Sequence, residues 1–138
     1  MSAFRPASIR SALDDLRADR LRHGVRAVED PALLAELAER GVVCDVTPVS
    51  NLRTGVVASL EAHPLPAMLA AGVKCSIGSD DPMLMQTSLS QDSAIAVRLG
   101  HTPRGMYEHG LAGAFCDEPT RARLRAVGEA YDWEAAPA

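Results

Sequence analysis

The chain has 138 residues, with 14 Lys or Arg and 18 Asp or Glu, so its formal net charge is −4. This length is typical of one domain, and the mildly acidic balance argues against general binding to nucleic acid or to an anionic membrane. Hydrophobic residues make up 47% of the sequence and aromatic residues only 4%. We therefore expect a globular fold whose core consists mainly of Ala, Val and Leu.

The cysteines and the chain start bear on the cellular compartment. There are three cysteines, Cys44, Cys75 and Cys116, and no C-x-x-C pair. This pattern fits neither a disulfide framework nor a zinc ribbon, and it favours a reducing, cytoplasmic setting. No apolar run approaches the ~18 residues of a membrane span, and Met1–Arg5 lacks the apolar block of a signal peptide. We expect a cytoplasmic protein without a membrane segment.

The first part of the sequence alternates helical and strand patterns. Apolar residues at helical spacing predict a first helix: Ile9, Ala12, Leu13 and Leu16. A short strand-like segment, Arg20–His23, then leads to Gly24. Asp30 before a proline predicts the start of a second helix, and Gly41 predicts its end. The run Val42–Val46 that follows is typical of a buried strand.

The same pattern repeats further along. His63-Pro64 begins a helix that ends at Gly72, and Val73–Ile77 reads as the next strand. Three more helices are predicted, at about Ser90–Leu99, Pro103–Ala114 and Pro119–Tyr131. The last of them carries three apolar residues on one face: Leu124, Val127 and Tyr131. Strands separated by single helices with short Gly turns indicate parallel β/α units.

The predicted strand ends carry polar groups, and these meet at one edge of a parallel sheet. They are Arg22–Gly24, Asp45–Asn51 and Ser79–Pro82. Asp80 and Asp81 form the sharpest feature, because adjacent carboxylates repel each other and resist desolvation. A divalent cation would compensate this charge, with one carboxylate on the metal and the other on the substrate. The alternative is that Asp81 caps a helix beginning at Pro82, as Asp30 does before Pro31.

Each of the other candidate residues has a structural explanation beside any functional one. His23 ends a strand before a turn glycine, a place where histidine is either structural or catalytic. Ser50-Asn51 is typical of a polar turn after a strand. Cys44 and Cys75 have no activating neighbour in sequence, so we expect small buried side chains. One solvated side of the last helix is expected to carry Arg121, Arg123 and Arg125.

Taken in order, these segments resemble the adenosine deaminase family of the metal-dependent amidohydrolase superfamily. Asp19–Val25 resembles the family's R-I/L-x-H-G-V strand, and Thr47–Asn51 resembles its C-P-x-S-N segment. His63-Pro64 followed by Leu69–Val73 resembles the next helix, and Ser79–Pro82 resembles the S-D-D-P signature. Each motif alone is weak, whereas the ordered set is specific.

The resemblance implies a zinc-dependent (β/α)₈ barrel that hydrolyses the 6-amino group of a purine and releases ammonia. By position, Asp80 would be the carboxylate zinc ligand and Asp81 would hydrogen-bond the purine ring. His23 would orient and polarise the metal-bound water. Zinc lowers the pKa of such a water to ~7, so that hydroxide is available at neutral pH.

The chain also departs from the family pattern. The family's H-x-H pair and H-x-G-E motif are absent from this sequence, so the remaining zinc ligands are expected outside this chain. The resemblance therefore covers the C-terminal portion of a TIM-type barrel, strands six to eight with their helices. We expect one partial domain over 1–138, with three β/α units in 1–89 and C-terminal helices in 90–138. Thr47, Asp45 and Gly78 stand where the family commonly has Cys, Glu and Asn.

Three expectations about activity follow. The isolated chain should not deaminate a purine nucleoside, because it lacks zinc ligands and the general acid/base Glu. Two open sheet edges and an apolar inner face should make it associate with itself, associate with a complementary N-terminal fragment, or aggregate. The alternative is a non-catalytic module that only associates with a partner chain. Adenosine is the default substrate, with adenine, AMP and aminodeoxyfutalosine as alternatives.

Overall fold

Three parallel strands separated by helices form the centre of the computed structural model, which describes residues 5–135. The strands are β1 (Arg20–Arg22), β2 (Val43–Val46) and β3 (Lys74–Ile77). The helices are α1 (Pro6–Asp14), α2 (Pro31–Arg40), α3 (Pro48–Arg53), α4 (Leu65–Ala70), α5 (Pro82–Met85), α6 (Leu89–Arg98), α7 (Pro103–Ala112) and α8 (Glu118–Ala130). Short 3₁₀ helices span Val25–Glu29 and Trp133–Ala135.

The sheet has the order β1-β2-β3, and both strand pairs are parallel. This confirms the predicted β/α units. A doubly wound sheet reverses its strand order at a switch point, whereas strands in a barrel follow one another in chain order. The sheet is therefore consistent with an arc of a barrel. Within the described residues, no helix is both long and apolar enough to cross a membrane.

Local signals set the ends of α2 as predicted. One oxygen of Asp30 accepts hydrogen bonds from the backbone N–H groups of Ala32 and Leu33, both at 3.1 Å. Gly41 ends the helix with φ +66°, in the left-handed region that glycine adopts without strain. These signals act within a few residues, which is why the sequence shows them.

The two faces of the sheet differ in character. Leu21, Cys44 and Cys75 are in register, and all three belong to the buried apolar core. The opposite face carries mostly polar side chains, namely Arg20, Arg22, Asp45, Lys74 and Ser76. The expected apolar inner face is therefore wrong. The polar groups are paired, since Arg20 donates to both oxygens of Asp45 at 2.7 and 2.6 Å and the Ser76 hydroxyl also donates to Asp45.

One sheet edge is covered, against the expectation of two open edges. The backbone N–H of Cys75 in β3 donates to Nδ1 of His109 at 3.0 Å. Nε2 of His101 lies 2.8 Å from the Cys75 carbonyl oxygen. The two imidazoles, one in α7 and one just before it, thus satisfy a backbone amide and carbonyl that a neighbouring strand would otherwise bind.

Two predicted local structures are wrong. Leu16 lies beyond the end of α1 and is 78% exposed, because the helix ends at Asp14. Ser50-Asn51 lies within α3 rather than in a polar turn, and both side chains are buried. Pro48 at the first helical position favours this short helix, since a missing N–H costs nothing there.

The last helix packs through a polar side chain. Arg121 donates to the carbonyl oxygens of Leu111 and Ala114 at 2.7 and 2.6 Å, so it ties α8 to the end of α7 and does not belong to a solvated side. The predicted apolar face is at least 36% exposed at each of its residues, which are Leu124, Val127 and Tyr131.

Candidate functional site

The ends of the three strands surround a cavity of about 250 Å³. Its polar lining follows each strand in turn: His23 after β1, Ser50 and Asn51 in α3 after β2, and Asp80 after β3. Since the strands are parallel, their carboxyl ends lie at one end of the sheet. The structure therefore brings together His23 and Asp80, two of the three predicted site residues.

Asp80 is held on both carboxylate oxygens. The Ser50 hydroxyl donates to Oδ2 at 2.7 Å, and the Arg22 guanidinium donates to Oδ1 at 2.9 Å. These two hydrogen bonds, the Ser50 bond above all, hold the pKa of Asp80 below its ordinary value. Asp80 is therefore ionised at neutral pH and presents a fixed carboxylate at the cavity.

His23 lies beside that carboxylate, with Nε2 at 3.8 Å from Oδ2 of Asp80. On the other side of the ring, Nδ1 is 3.0 Å from the Thr47 hydroxyl and 3.3 Å from Nδ2 of Asn51. With the Asn51 amide oriented so that its NH₂ faces the ring, Nδ1 is assigned as the acceptor and Nε2 as the protonated nitrogen. Burial lowers the pKa of His23, although Asp80 opposes that shift, so the neutral ring is favoured at pH 7.

Both site residues have an unusual backbone conformation. His23 has φ +63° and Asp80 has φ +59°, a region that residues other than glycine rarely adopt. Such strain persists where the surrounding structure enforces it, and it is common at functional sites. Gly24 follows His23 with φ +69°, and a Cβ there would lie 2.9 Å from Sγ of Cys44. A glycine is thus required where β1 turns toward the cavity.

Asp81 does not line this cavity. Its Oδ1 accepts a hydrogen bond from the backbone N–H of Leu84 at 2.9 Å, so it caps α5. The capping alternative is confirmed for this residue. Its contact with a substrate stays a prediction, since a capping carboxylate has a second oxygen that can accept another hydrogen bond.

Sequence reasoning gave no role to four residues that shape the site. Ser50 and Arg22 hold Asp80, while Thr47 and Asn51 hold His23. Thr47 and Asn51 are at most 1% exposed, and Oδ1 of Asn51 is buried without a hydrogen-bond partner. The signal that could have found three of them is the segment Thr47–Asn51, which resembles the family's C-P-x-S-N segment.

The described residues provide few metal ligands. Across residues 5–135, no cluster of three or more His, Cys, Asp or Glu side chains could hold a metal ion. A catalytic zinc site has three protein ligands, and this cavity offers the Asp80 carboxylate with the His23 imidazole beside it. These residues alone do not fit a zinc ion, so a zinc at Asp80 needs ligands from outside the described part of the chain.

Comparison with known proteins agrees with the resemblance to adenosine deaminases seen in the sequence motifs. The family model for adenosine deaminase matches residues 2–129. An aminodeoxyfutalosine deaminase from Acidothermus cellulolyticus is 47% identical over 127 residues, which cover 92% of this chain and 36% of the relative. An adenine deaminase from Sinorhizobium fredii is 44% identical over 124 residues, covering 87% of this chain and 38% of the relative.

Two solved structures are similar to this chain in both fold and sequence. An adenine deaminase from Arthrobacter aurescens has a TM-score of 0.83 and 29% identity, covering 91% of this chain and 39% of that one. An amidohydrolase from Burkholderia ambifaria, solved with bound Zn, has a TM-score of 0.82 and 30% identity, covering 91% of this chain and 36% of that one. The chain thus spans less than two-fifths of the length of these relatives. On the family match, the protein belongs to the adenosine deaminase family.

Proposed function

We propose that this chain supplies part of the active site of a zinc-dependent deaminase that removes the 6-amino group of a purine. The observation that carries the proposal is the ionised Asp80 carboxylate beside a neutral His23 at the ends of parallel strands. Two carboxylate oxygens fixed by Ser50 and Arg22 suit a ligand whose geometry must not change during the reaction.

Asp80 would hold the metal, together with histidine ligands from outside the described residues. Bound zinc would supply an activated water at neutral pH. His23 would aim that water, because its Nε2–H faces the Asp80 side of the cavity while Thr47 and Asn51 fix the ring from behind. A neutral imidazole donates this hydrogen bond without adding a positive charge that would repel the metal.

The substrate class follows from the relatives. Adenine and aminodeoxyfutalosine deaminases are both similar to this chain over most of its length. What these substrates share is a 6-aminopurine, so we propose that group as the reacting part, with adenosine, adenine, AMP and aminodeoxyfutalosine as the compounds to test. Asp81 would hydrogen-bond the purine ring while it continues to cap α5.

A complementary segment would complete the site. We propose that an N-terminal portion of a deaminase, carrying the H-x-H and H-x-G-E motifs, binds the polar sheet face that contains Arg22 and Asp45. A closed (β/α)₈ barrel encloses that face on its inside.

The test combines the purified chain with the N-terminal segment of a related adenine deaminase. We expect bound zinc and ammonia release from at least one of the four compounds in the mixture, and no turnover by the chain alone. Asp80→Asn should abolish both zinc retention and turnover, whereas Asp117→Asn, which alters the cap of α8, should change neither. A complex that forms and yet deaminates none of the compounds would show that the chain is a non-catalytic association module.

A separate variant tests whether Asp81 binds the purine. Asn caps helices as well as Asp does, so Asp81→Asn keeps the bond to Leu84 and removes only the negative charge. If Asp81 binds the purine, this variant should lose at least ~10-fold in kcat/KM at unchanged stability, about the value of one charge-assisted hydrogen bond. Unchanged kinetics would leave Asp81 with the capping role alone.

A further inference from the structure

The N-cap residue of α3 does not cap this helix with its side chain. Thr47 is the N-cap residue of this helix, and a threonine there normally accepts a hydrogen bond from one of the first backbone N–H groups. Its side chain makes no such bond. The hydroxyl instead lies 3.0 Å from Nδ1 of His23, and Thr47 is completely buried.

This arrangement is an exception among the described helices. Five others begin after an Asp, Ser or Thr, and in each of them that residue caps its own helix with its own side chain. These residues are Asp30, Asp81, Ser88, Thr102 and Asp117. Of these six helices, α3 alone has an N-cap side chain that bonds another side chain in place of its own helix, and the side chain it reaches is the candidate catalytic histidine.

A distant carboxylate caps α3 in place of Thr47. Oδ1 of Asp92, in the first turn of α6, accepts a hydrogen bond from the backbone N–H of Val49 at 2.8 Å, across 43 residues of sequence. Oδ2 accepts a hydrogen bond from the Thr87 hydroxyl at 2.9 Å, and the Asp92 side chain is completely buried. Both oxygens are therefore committed within the fold, and neither faces a solvent-filled site.

We propose that Asp92 is a positioning residue for His23, because it caps α3 and thereby leaves the Thr47 hydroxyl to hold the imidazole. Threonine occupies one χ1 rotamer at a time, so its hydroxyl points either to the helix N–H groups or to His23. With Val49 already bonded, the rotamer that faces His23 leaves no buried N–H unpaired at that position. The role of Asp92 in catalysis rests on the proposed function, whereas its effect on the hydrogen bond from Thr47 to His23 does not.

The test measures the Thr47 rotamer and the ¹⁵N resonance of His23 Nδ1 by NMR at a fixed pH of about 7.5, where a histidine with pKa at or below ~6.5 is neutral. Asp92→Ala removes the acceptor for Val49. We expect Thr47 to rotate toward the helix, and we expect the Nδ1 resonance of His23 to move toward that of an imidazole without a hydrogen bond. Asp92→Asn should leave both signals as in the wild type, because its amide can accept from Val49 and donate to Thr87.

Two controls separate this effect from a loss of stability. Asp117→Ala removes a cap of the same kind, from Thr120 at 2.9 Å, and should change neither NMR signal. Thr47→Val removes the hydroxyl itself, so adding Asp92→Ala to it should cause no further shift at His23. If Asp92→Ala does not fold, Asp92→Ser serves instead, since its hydroxyl is too short to reach Val49.

The proposal is overturned if the Val49 amide exchanges about fivefold faster in Asp92→Ala, as a lost cap predicts, while Thr47 and His23 keep their wild-type signals. In the zinc-loaded mixture with the N-terminal segment, Asp92→Ala should lower kcat more than it raises KM. If the wild-type mixture is inactive but the NMR changes occur, the proposed function fails and the positioning of His23 stands.

Discussion

Gly24→Ala is expected to be unusually costly, because two separate effects act at one residue. The backbone has φ +69°, where a residue with a Cβ costs ~1–2 kcal/mol. The new Cβ would also lie 2.9 Å from Sγ of Cys44, a completely buried atom beneath the sheet that cannot turn out to solvent. Crowding of this kind costs ~1–3 kcal/mol. Together they predict a loss of ~2–5 kcal/mol in the free energy of unfolding.

Gly55→Ala isolates the backbone contribution. Gly55 has φ +70°, nearly the same as Gly24, and no atom lies within 4 Å of its added Cβ. Urea unfolding of both variants should therefore give a smaller loss for Gly55→Ala, by the ~1–3 kcal/mol that the Cys44 contact contributes. Cys44→Ala in the Gly24→Ala background should recover part of that difference. Equal losses at the two glycines, or strict additivity with Cys44→Ala, would refute a role for the close approach.

The remaining predictions concern stability and share the urea assay. Burial lowers the pKa of His63 from 6.5 to about 4, so the folded state resists protonation and stability falls as the pH drops. His63 should account for ~2 kcal/mol lost between pH 7 and pH 5, which His63→Asn removes. Arg20→Met removes the guanidinium and its two hydrogen bonds from the Asp45 carboxylate and should cost ~1–3 kcal/mol, less when combined with Asp45→Asn. His109→Leu removes the acceptor of the Cys75 N–H and should cost ~1–3 kcal/mol, with faster exchange of that amide. If His63→Asn keeps the wild-type pH dependence of the free energy of unfolding, the effect assigned to His63 is contradicted. If either of the other variants is as stable as the wild type, the contact that it removes does not contribute to stability.

The limits of α2 and the strand-end positions of the main site residues could be predicted from the sequence. Asp30 and Gly41 act on atoms within a few residues of themselves, so their effects are visible in the local pattern. His23 and Asp80 follow parallel strands, and the order of the elements is enough to place such strand ends at one edge of the sheet. Their roles in a site come from the resemblance of the ordered motifs to the adenosine deaminase family, not from the spacing itself.

The partners of the site residues could not be predicted in this way. Thr47 and Ser50 bond side chains 24 and 30 residues away, and Asp92 bonds a backbone group 43 residues away. Such pairs arise from packing, and nothing in the sequence spacing marks them. The polar face of the sheet was missed for the same reason, since Asp45 sits in an otherwise apolar run and its arginine partner lies on another strand.

The helices within 90–138 pack against the β/α units within 1–89. Ala96 in α6 is completely buried in the same core cluster as the sheet residues. His101 covers the free edge of β3 through the Cys75 carbonyl. A chain cut after residue 89 would expose that edge and part of the core, so we expect it to aggregate or to lack cooperative unfolding by circular dichroism. Cooperative unfolding of the shortened chain at wild-type stability would show that the last three long helices are dispensable for the sheet.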